Sequence, residues 1–307
     1  MLPDQAHPER GRFVRDQVAA LRRLDGVEVE LYEFSPGPRE LARAAGALRR
    51  RYRHGLPGGP LDVVHAHFGL TAWPCLAVPA RVRALTFHGT DLAHRRTRLA
   101  SLAALGLIDL PAVVSPTLLA ALPGRAAARA AVLPCGVDME RFQRLERTTA
   151  RMQLGLQAGG RYVLFAADPA RPEKRYDRAR ALAQASEAQL LSLGGVEPER
   201  VPLFVNAANA VLVPSEREGF GLAVLEALAC DVPVLATPVG IHAEALAGVE
   251  GTLCAPFDAV TWSQALAPNI QGGDPRVAGR AAAERWSARA MAERVCDAWR
   301  TALQSSR

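Results

Sequence analysis

Two glutamates, Glu218 and Glu226, bracket the stretch Gly219-Phe220-Gly221-Leu222-Ala223-Val224-Leu225. The apolar run Ala210-Val211-Leu212-Val213 before them ends in Pro214-Ser215 and reads as a buried strand. Leu222, Leu225 and Ala229 then keep helical spacing. Glu218 therefore belongs to a strand-to-helix loop, and Glu226 lies about two turns into the helix. Gly219 and Gly221 let a backbone come close to a ligand, and a helix start offers N–H groups without intrahelical partners. That geometry suits a phosphate at the helix N-terminus, with carboxylates reaching the hydroxyls of attached sugars. The same residues also fit a glycine turn that caps an ordinary helix and carries two solvated glutamates.

Lys174 is the single lysine of the chain; every other member of its 37 basic residues is arginine. A lysine retained against such a bias either meets a demand that arginine cannot or is a chance survivor on the surface. An ammonium is a compact point charge, whereas a guanidinium is a broad planar fork, and a tight pocket around a diphosphate admits only the former. Lys174 follows the apolar run Tyr162–Phe165, at a strand-to-loop transition, which is the ligand edge of an open α/β sheet. Arg171 is placed to add a second positive charge. In the first half, His65 and His67 stand at i and i+2 on a strand and so point to one face. That spacing also suits metal ligation, which makes a metal-dependent hydrolase on His65 and His67 the competing enzyme class.

The elements that must position these residues alternate between short apolar runs and amphipathic stretches, the signature of α/β architecture with parallel sheets. Phe13, Val14, Val18, Leu21 and Leu24 form a helical stripe, Val27–Phe34 reads as a strand, and residues 39–53 read as a helix. Leu61–His67, Val82–Phe87 and Ala112–Ser115 are further strand candidates. A polar connector covers residues 141–160, and the second series starts at Tyr162 and repeats the alternation to Leu253. The tail from Glu284 to Leu303 reads as a helix pair, with Trp286, Met291, Val295 and Trp299 approximating one face.

The stretch from Glu218 to Gly240, through Cys230-Asp231-Val232-Pro233-Val234-Leu235-Ala236-Thr237-Pro238-Val239, resembles the Glu-x7-Glu region of family 4 glycosyltransferases, retaining enzymes that use nucleotide sugars and have the GT-B fold. Phe87-His88-Gly89-Thr90-Asp91 and Pro134-Cys135-Gly136-Val137-Asp138 match two further segments of that family. The resemblance implies two Rossmann-like, doubly wound parallel-sheet domains facing a cleft. Residues 1–142 would form the acceptor side, 143–285 the donor side, and 286–307 a helix returning to the first domain. It implies catalytic roles for His88, Lys174 and Glu218, with Lys174 on the donor diphosphate and Glu218 on the hydroxyls of the transferred hexose. His88 would hydrogen-bond the sugar or the departing phosphate. Donor binding would further involve Arg171, Gly219, Phe220, Gly221, Leu222 and Glu226, the last on the ribose, while Gly11 and His67 would lie on the acceptor side.

The same resemblance implies no cofactor beyond the nucleotide-diphosphate sugar as co-substrate, and no bound metal, in keeping with a sequence that lacks any Asp-x-Asp pair. The implied acceptor is a cell-envelope glycan or a lipid-linked saccharide, as in bacterial enzymes of the teichuronic-acid type. Two departures matter. Asp168-Pro169 replaces the Gly-Arg pair that the family carries ahead of the lysine. Gly11-Arg12-Phe13-Val14-Arg15-Asp16 matches the family's first loop and helix, yet residues 1–10 are polar. The opening strand, central in a doubly wound sheet, is therefore expected to be missing, and a truncated, non-catalytic homologue that binds nucleotide sugars is a further reading.

With 49% hydrophobic and 22% charged residues, the 307-residue chain can bury the cores of two domains. Five scattered cysteines without a Cys-x-x-Cys read as reduced packing residues of a cytoplasmic protein. Residues 1–150 carry 21 arginines against 14 acidic residues. This basic half, densest at Arg43, Arg49, Arg50, Arg51 and Arg53, suits a phosphate-bearing acceptor, peripheral contact with an anionic membrane at its inner face, or a solvated helix surface. No recognised nucleic-acid motif accompanies the arginines, so nucleic acid is not the expected partner.

Overall fold

The computed structural model describes residues 11–305 apart from 36, 57, 58, 94, 272 and 273. The described chain divides into two compact units, one of residues 11–135 with 289–305 and the other of residues 136–288. In the first unit a parallel sheet takes the order β1 (Leu61–His67), β2 (Ala80–Phe87), β3 (Leu110–Val113), β4 (Ala131–Val132). Leu85, Phe87 and Val113 from this sheet lie in one buried cluster with Ala104, Leu105 and Ile108. Val82, Ala84 and Leu110 form another, against which Ala298, Trp299, Ala302 and Leu303 of the terminal helix Ala288–Ser305 pack. That helix follows a short 3-10 turn, Glu284–Trp286, so the expected tail of two helices is a turn and one helix.

The second unit has the order β6 (Gln189–Ser192), β5 (Tyr162–Phe165), β7 (Ala210–Val213), β8 (Val234–Ala236), β9 (Leu253–Cys254), again all parallel. β5 and β7 are buried at every position, as continuous apolar runs in a sheet covered on both faces must be. The chain steps from β5 outward to β6 and then returns to the other side of β5 as β7. That reversal lies at β5 and β7, at whose carboxyl ends doubly wound sheets take their ligands.

One strand expectation is corrected. Val27–Phe34 forms no strand and enters no ladder among the described residues. Among the described residues no strand precedes β1, and an extended segment becomes a strand only where a neighbour accepts its N–H groups. The opening strand was expected to be missing from residues 1–10, which lie outside the described residues. Helices do form on either side of this segment, at Arg12–Leu21 and at Pro38–Tyr52. The basic cluster lies on the second, where Leu48 and Tyr52 turn inward and Arg49, Arg50 and Arg51 outward.

Candidate active site

Lys174 closes the 3-10 turn Pro172–Lys174 in the loop after β5, and Arg175 reverses the backbone with φ 59° before the next helix. Glu218 lies in the loop after β7. The reversal of strand order makes these two loops neighbours, and a bond from the Glu216 N–H to the Glu173 carbonyl, 2.9 Å, laces them together. Lys174 Nζ then donates to both carboxylate oxygens of Glu218 at 2.7 Å. The pair is nearly withdrawn from solvent, with side chains 14% and 9% exposed. Ser215 Oγ donates to Glu218 Oε1 at 2.7 Å. Burial works to raise the Glu218 carboxyl, but the Lys174 charge, its hydrogen bonds, His242 and Ser215 outweigh it, and the net shift is downward.

The turn between Glu218 and the helix Leu222–Ala229 is held by close backbone contacts. Gly221, the N-cap, has φ 110°, a conformation that glycine adopts without strain. Gly240 approaches so closely that a Cβ on it would stand 2.1 Å from the Phe220 carbonyl oxygen. That carbonyl accepts the Ile241 N–H at 2.9 Å. Phe220 is buried and Glu226 half-buried on the second turn of the helix. Arg171, the expected second charge, donates two bonds to Glu173 at 2.8 and 3.0 Å. In this state its guanidinium is engaged beside the lysine.

In the first unit, β1 and β2 bring three histidines into one row. The rings of His65 and His67 stack with centroids 4.7 Å apart, as the i, i+2 spacing requires. His67 Nδ1 lies 3.1 Å from His88 Nε2, and Gln17 Nε2 lies 3.5 Å from His67 Nε2. His65 sits between Trp299, whose indole N–H donates to Nδ1 at 3.1 Å, and Thr86 Oγ1, 2.7 Å from Nε2. Because an indole nitrogen only donates, Nδ1 of His65 accepts and its Nε2–H donates to Thr86. Phe13 and Phe68 pack on the His88 ring, with centroids at 4.6 and 4.7 Å. Phe13 is two residues beyond Gly11, which starts its helix at φ 69°.

Burial holds all three imidazoles neutral: His65 and His88 are pushed well below the usual range and His67 to about 4. Asp91 organises the turn in front of His88. Its carboxylate accepts the N–H groups of Gly89, Gly69 and His88 at 2.9, 3.0 and 3.2 Å. Five of the row's six ring nitrogens face one another, Thr86, Trp299 or Gln17. Among the described residues no group of three or more His, Cys, Asp or Glu side chains is placed to hold a metal ion.

Lys174, Glu218, the Gly219–Leu222 turn and Glu226 thus come together in the second unit, and Gly11, His67 and His88 in the first. Sequence reasoning missed Ser215, Thr237 and His242 behind the turn, and Gln17 and Trp299 in the histidine row. A histidine six residues past the buried β8, beyond the carboxyl end of that strand, was the available signal for His242. Trp299 had none, since its partner lies 234 positions away in sequence.

Comparison with known proteins gives the same division. A family model described as glycosyl transferases group 1 matches residues 156–286, and one described as glycosyltransferase family 4 matches residues 6–141. A D-inositol 3-phosphate glycosyltransferase from Actinosynnema mirum is 29% identical over 325 aligned positions, spanning 86% of this chain and 75% of that protein. The enzyme of the same name from Mycobacterium avium is 33% identical, over 51% of this chain and 45% of its own length. Among solved structures, a sucrose-phosphate synthase from Thermosynechococcus elongatus superposes with a TM-score of 0.69 at 21% identity, covering 98% of both chains. Anabaena HepE, solved in complex with UDP and glucose, also reaches 0.69 at 15% identity, covering 96% of this chain and 97% of its own. No helix among the described residues is long and apolar enough to cross a membrane. The two family matches, one on each unit, and the paired parallel sheets leave one conclusion: the chain belongs to the family 4 glycosyltransferases and has the GT-B fold.

Proposed function

We propose that this glycosyltransferase moves a hexose from a nucleotide-diphosphate sugar to a hydroxyl acceptor with retention of anomeric configuration and without a divalent metal. The observation that carries the reading is the buried Lys174–Glu218 pair beside the glycine turn, at the point where the strand order reverses. Lys174 and the amides of the first helical turn meet the negative charge that grows on the departing diphosphate. The sugar's hydroxyls take over one face of Glu218, and Glu226 holds the ribose. The leaving diphosphate accepts the acceptor's proton on the same face of the sugar, so the protein needs to supply no separate base. Solved neighbours in complex with UDP-glucose, or with UDP and glucose, support a nucleotide-sugar donor.

For the acceptor we propose a cell-envelope glycan or lipid-linked saccharide, reached at the inner face of the membrane. The relatives named D-inositol 3-phosphate glycosyltransferases make a phosphorylated polyol the next acceptor to screen. The deciding experiment measures nucleoside-diphosphate release from UDP-, GDP- and ADP-sugars over an acceptor panel, with chelator present and the product anomer read by NMR. Release in chelator with retained configuration is expected. Activity that vanishes with chelator would overturn metal independence. Binding without release from any donor would favour the non-catalytic homologue.

A further inference from the structure

We infer that His242 is a positioning residue of the Gly219–Leu222 turn, and that its imidazole takes up a proton when a nucleoside diphosphate binds there. The inference rests on the reading of that turn as the diphosphate site. His242 is 0% exposed. Its Nδ1 lies 2.8 Å from the Thr237 carbonyl oxygen. A carbonyl only accepts, so Nδ1 carries a hydrogen and, in the neutral ring, Nε2 presents a lone pair. That nitrogen is buried and has no hydrogen-bond partner. It is aimed at the helix start, for a Cβ built on Gly221 would meet it at 2.4 Å. An unpaired buried acceptor is costly, and this one stands directly behind the end of a helix that would receive an anion.

The charges around the ring set its state. Glu218, in the loop after β7, favours the imidazolium, and Lys174, in the loop after β5, opposes it. The helix in front of the ring carries Glu226, β9 carries the Cys254 thiol, and the ring's own helix carries Glu244, which lies 3.9 Å from Arg285. Arg280, on the helix Gly279–Ala283, is engaged by the carbonyls of Met139, Phe142 and Ala229. Burial dominates and keeps the ring neutral. The positive end of the helix acts in the same sense. A bound diphosphate brings negative charge to that helix end and reverses the balance. A proton from the buffer then adds to the Nε2 lone pair, no bond of the ligand breaks, and the proton leaves when the ligand does. The site thereby gains a positive charge behind its amides in a chain that keeps only one lysine.

The test is calorimetric titration of the full chain with UDP, ADP and GDP in buffers of differing ionisation enthalpy. His242→Asn is the control, because its amide can still donate to Thr237 while the titratable nitrogen is gone. The wild type is expected to take up close to ~1 proton more per bound diphosphate than His242→Asn. Between pH 7 and 8.5, above the range where a phosphate takes its second proton (about 6), wild-type affinity should weaken by up to ~10-fold per pH unit. Diphosphate binding with equal proton uptake in both proteins would overturn the inference. So would a wild-type affinity that stays flat over that range, a measurement that needs no variant. Failure of all three diphosphates to bind would instead remove the site itself, and the functional reading with it.

Discussion

At the scale of single residues, Lys174 has two tasks, one visible in the free protein and one proposed for the bound state. In the free protein it neutralises Glu218, which is only 9% exposed. Lys174→Ala should therefore cost about 3 kcal/mol of stability, because it leaves a carboxylate buried without its counter-charge. Adding Glu218→Gln should restore most of that loss in urea denaturation. Lys174→Arg keeps the charge and most of the stability, yet turnover should fall on the order of 100-fold, since a planar fork misplaces the phosphates. An arginine variant working within a few-fold of wild type would remove Lys174 from the diphosphate. Glu226 gives the complementary case. Glu226→Ala should weaken donor binding by about 1.5–3 kcal/mol, the range for hydrogen bonds to a charged group, with an unchanged melting temperature. Equal affinity in titration calorimetry would end the ribose assignment.

At the scale of elements, the glycine turn is packed from two sides by obstacles of different kinds. Gly221→Ala places a Cβ 2.4 Å from the imidazole of His242 at φ 110°. Gly240→Ala places one 2.1 Å from the backbone oxygen of Phe220 at φ 61°. Each change should cost on the order of 1–3 kcal/mol from backbone strain, plus the clash. The first should be partly relieved by His242→Ala, because a side chain can be removed. The second should not, because the Phe220 carbonyl cannot retreat without loosening its bond to the Ile241 N–H. Thermal unfolding of both single and both double variants tests this. Equal rescue at the two positions would show that strain, and not these contacts, sets the cost.

At the scale of the whole molecule, the row of neutral histidines makes the fold sensitive to acid. An unfolded histidine takes a proton near 6.5, whereas His67 in the folded chain holds out to about 4, with His65 and His88 also well below the usual value. The unfolded chain thus binds more protons over this interval, so stability is full above pH 6.5 and falls as the pH drops towards 4. Each histidine contributes a slope of ~1.4 kcal/mol per pH unit, about 4 kcal/mol for all three. Glu218, shifted below its ordinary 4.5, adds a further loss below that pH. Urea denaturation between pH 7 and 4.5 should show the steep part of this loss. Replacing His67 with Asn should flatten it, and a slope identical to wild type would mean that His67 takes up its proton as readily in the folded chain as in the unfolded one.

Much of the architecture was legible in local pattern. Tyr162–Phe165 and Ala210–Val213 are strands with the bounds their apolar runs indicate, the helix behind Gly221 forms as its spacing requires, and His65 and His67 share a face because strands alternate. The family likeness was equally local, carried by residues close together in sequence. Pairing was not legible, because partners are chosen by topology and not by periodicity. Val27–Phe34 has the composition of a strand but pairs with no strand among the described residues. Lys174 meets Glu218 across 44 positions because the order of β6, β5 and β7 reverses. Trp299 fixes His65 across 234 positions because the terminal helix packs on the first sheet. The sequence alone determined which residues could carry charge to a phosphate and which elements would hold them. Only the tertiary structure decided which of those charges neutralise one another, since burial and proximity set a group's charge and both arise when distant segments pack.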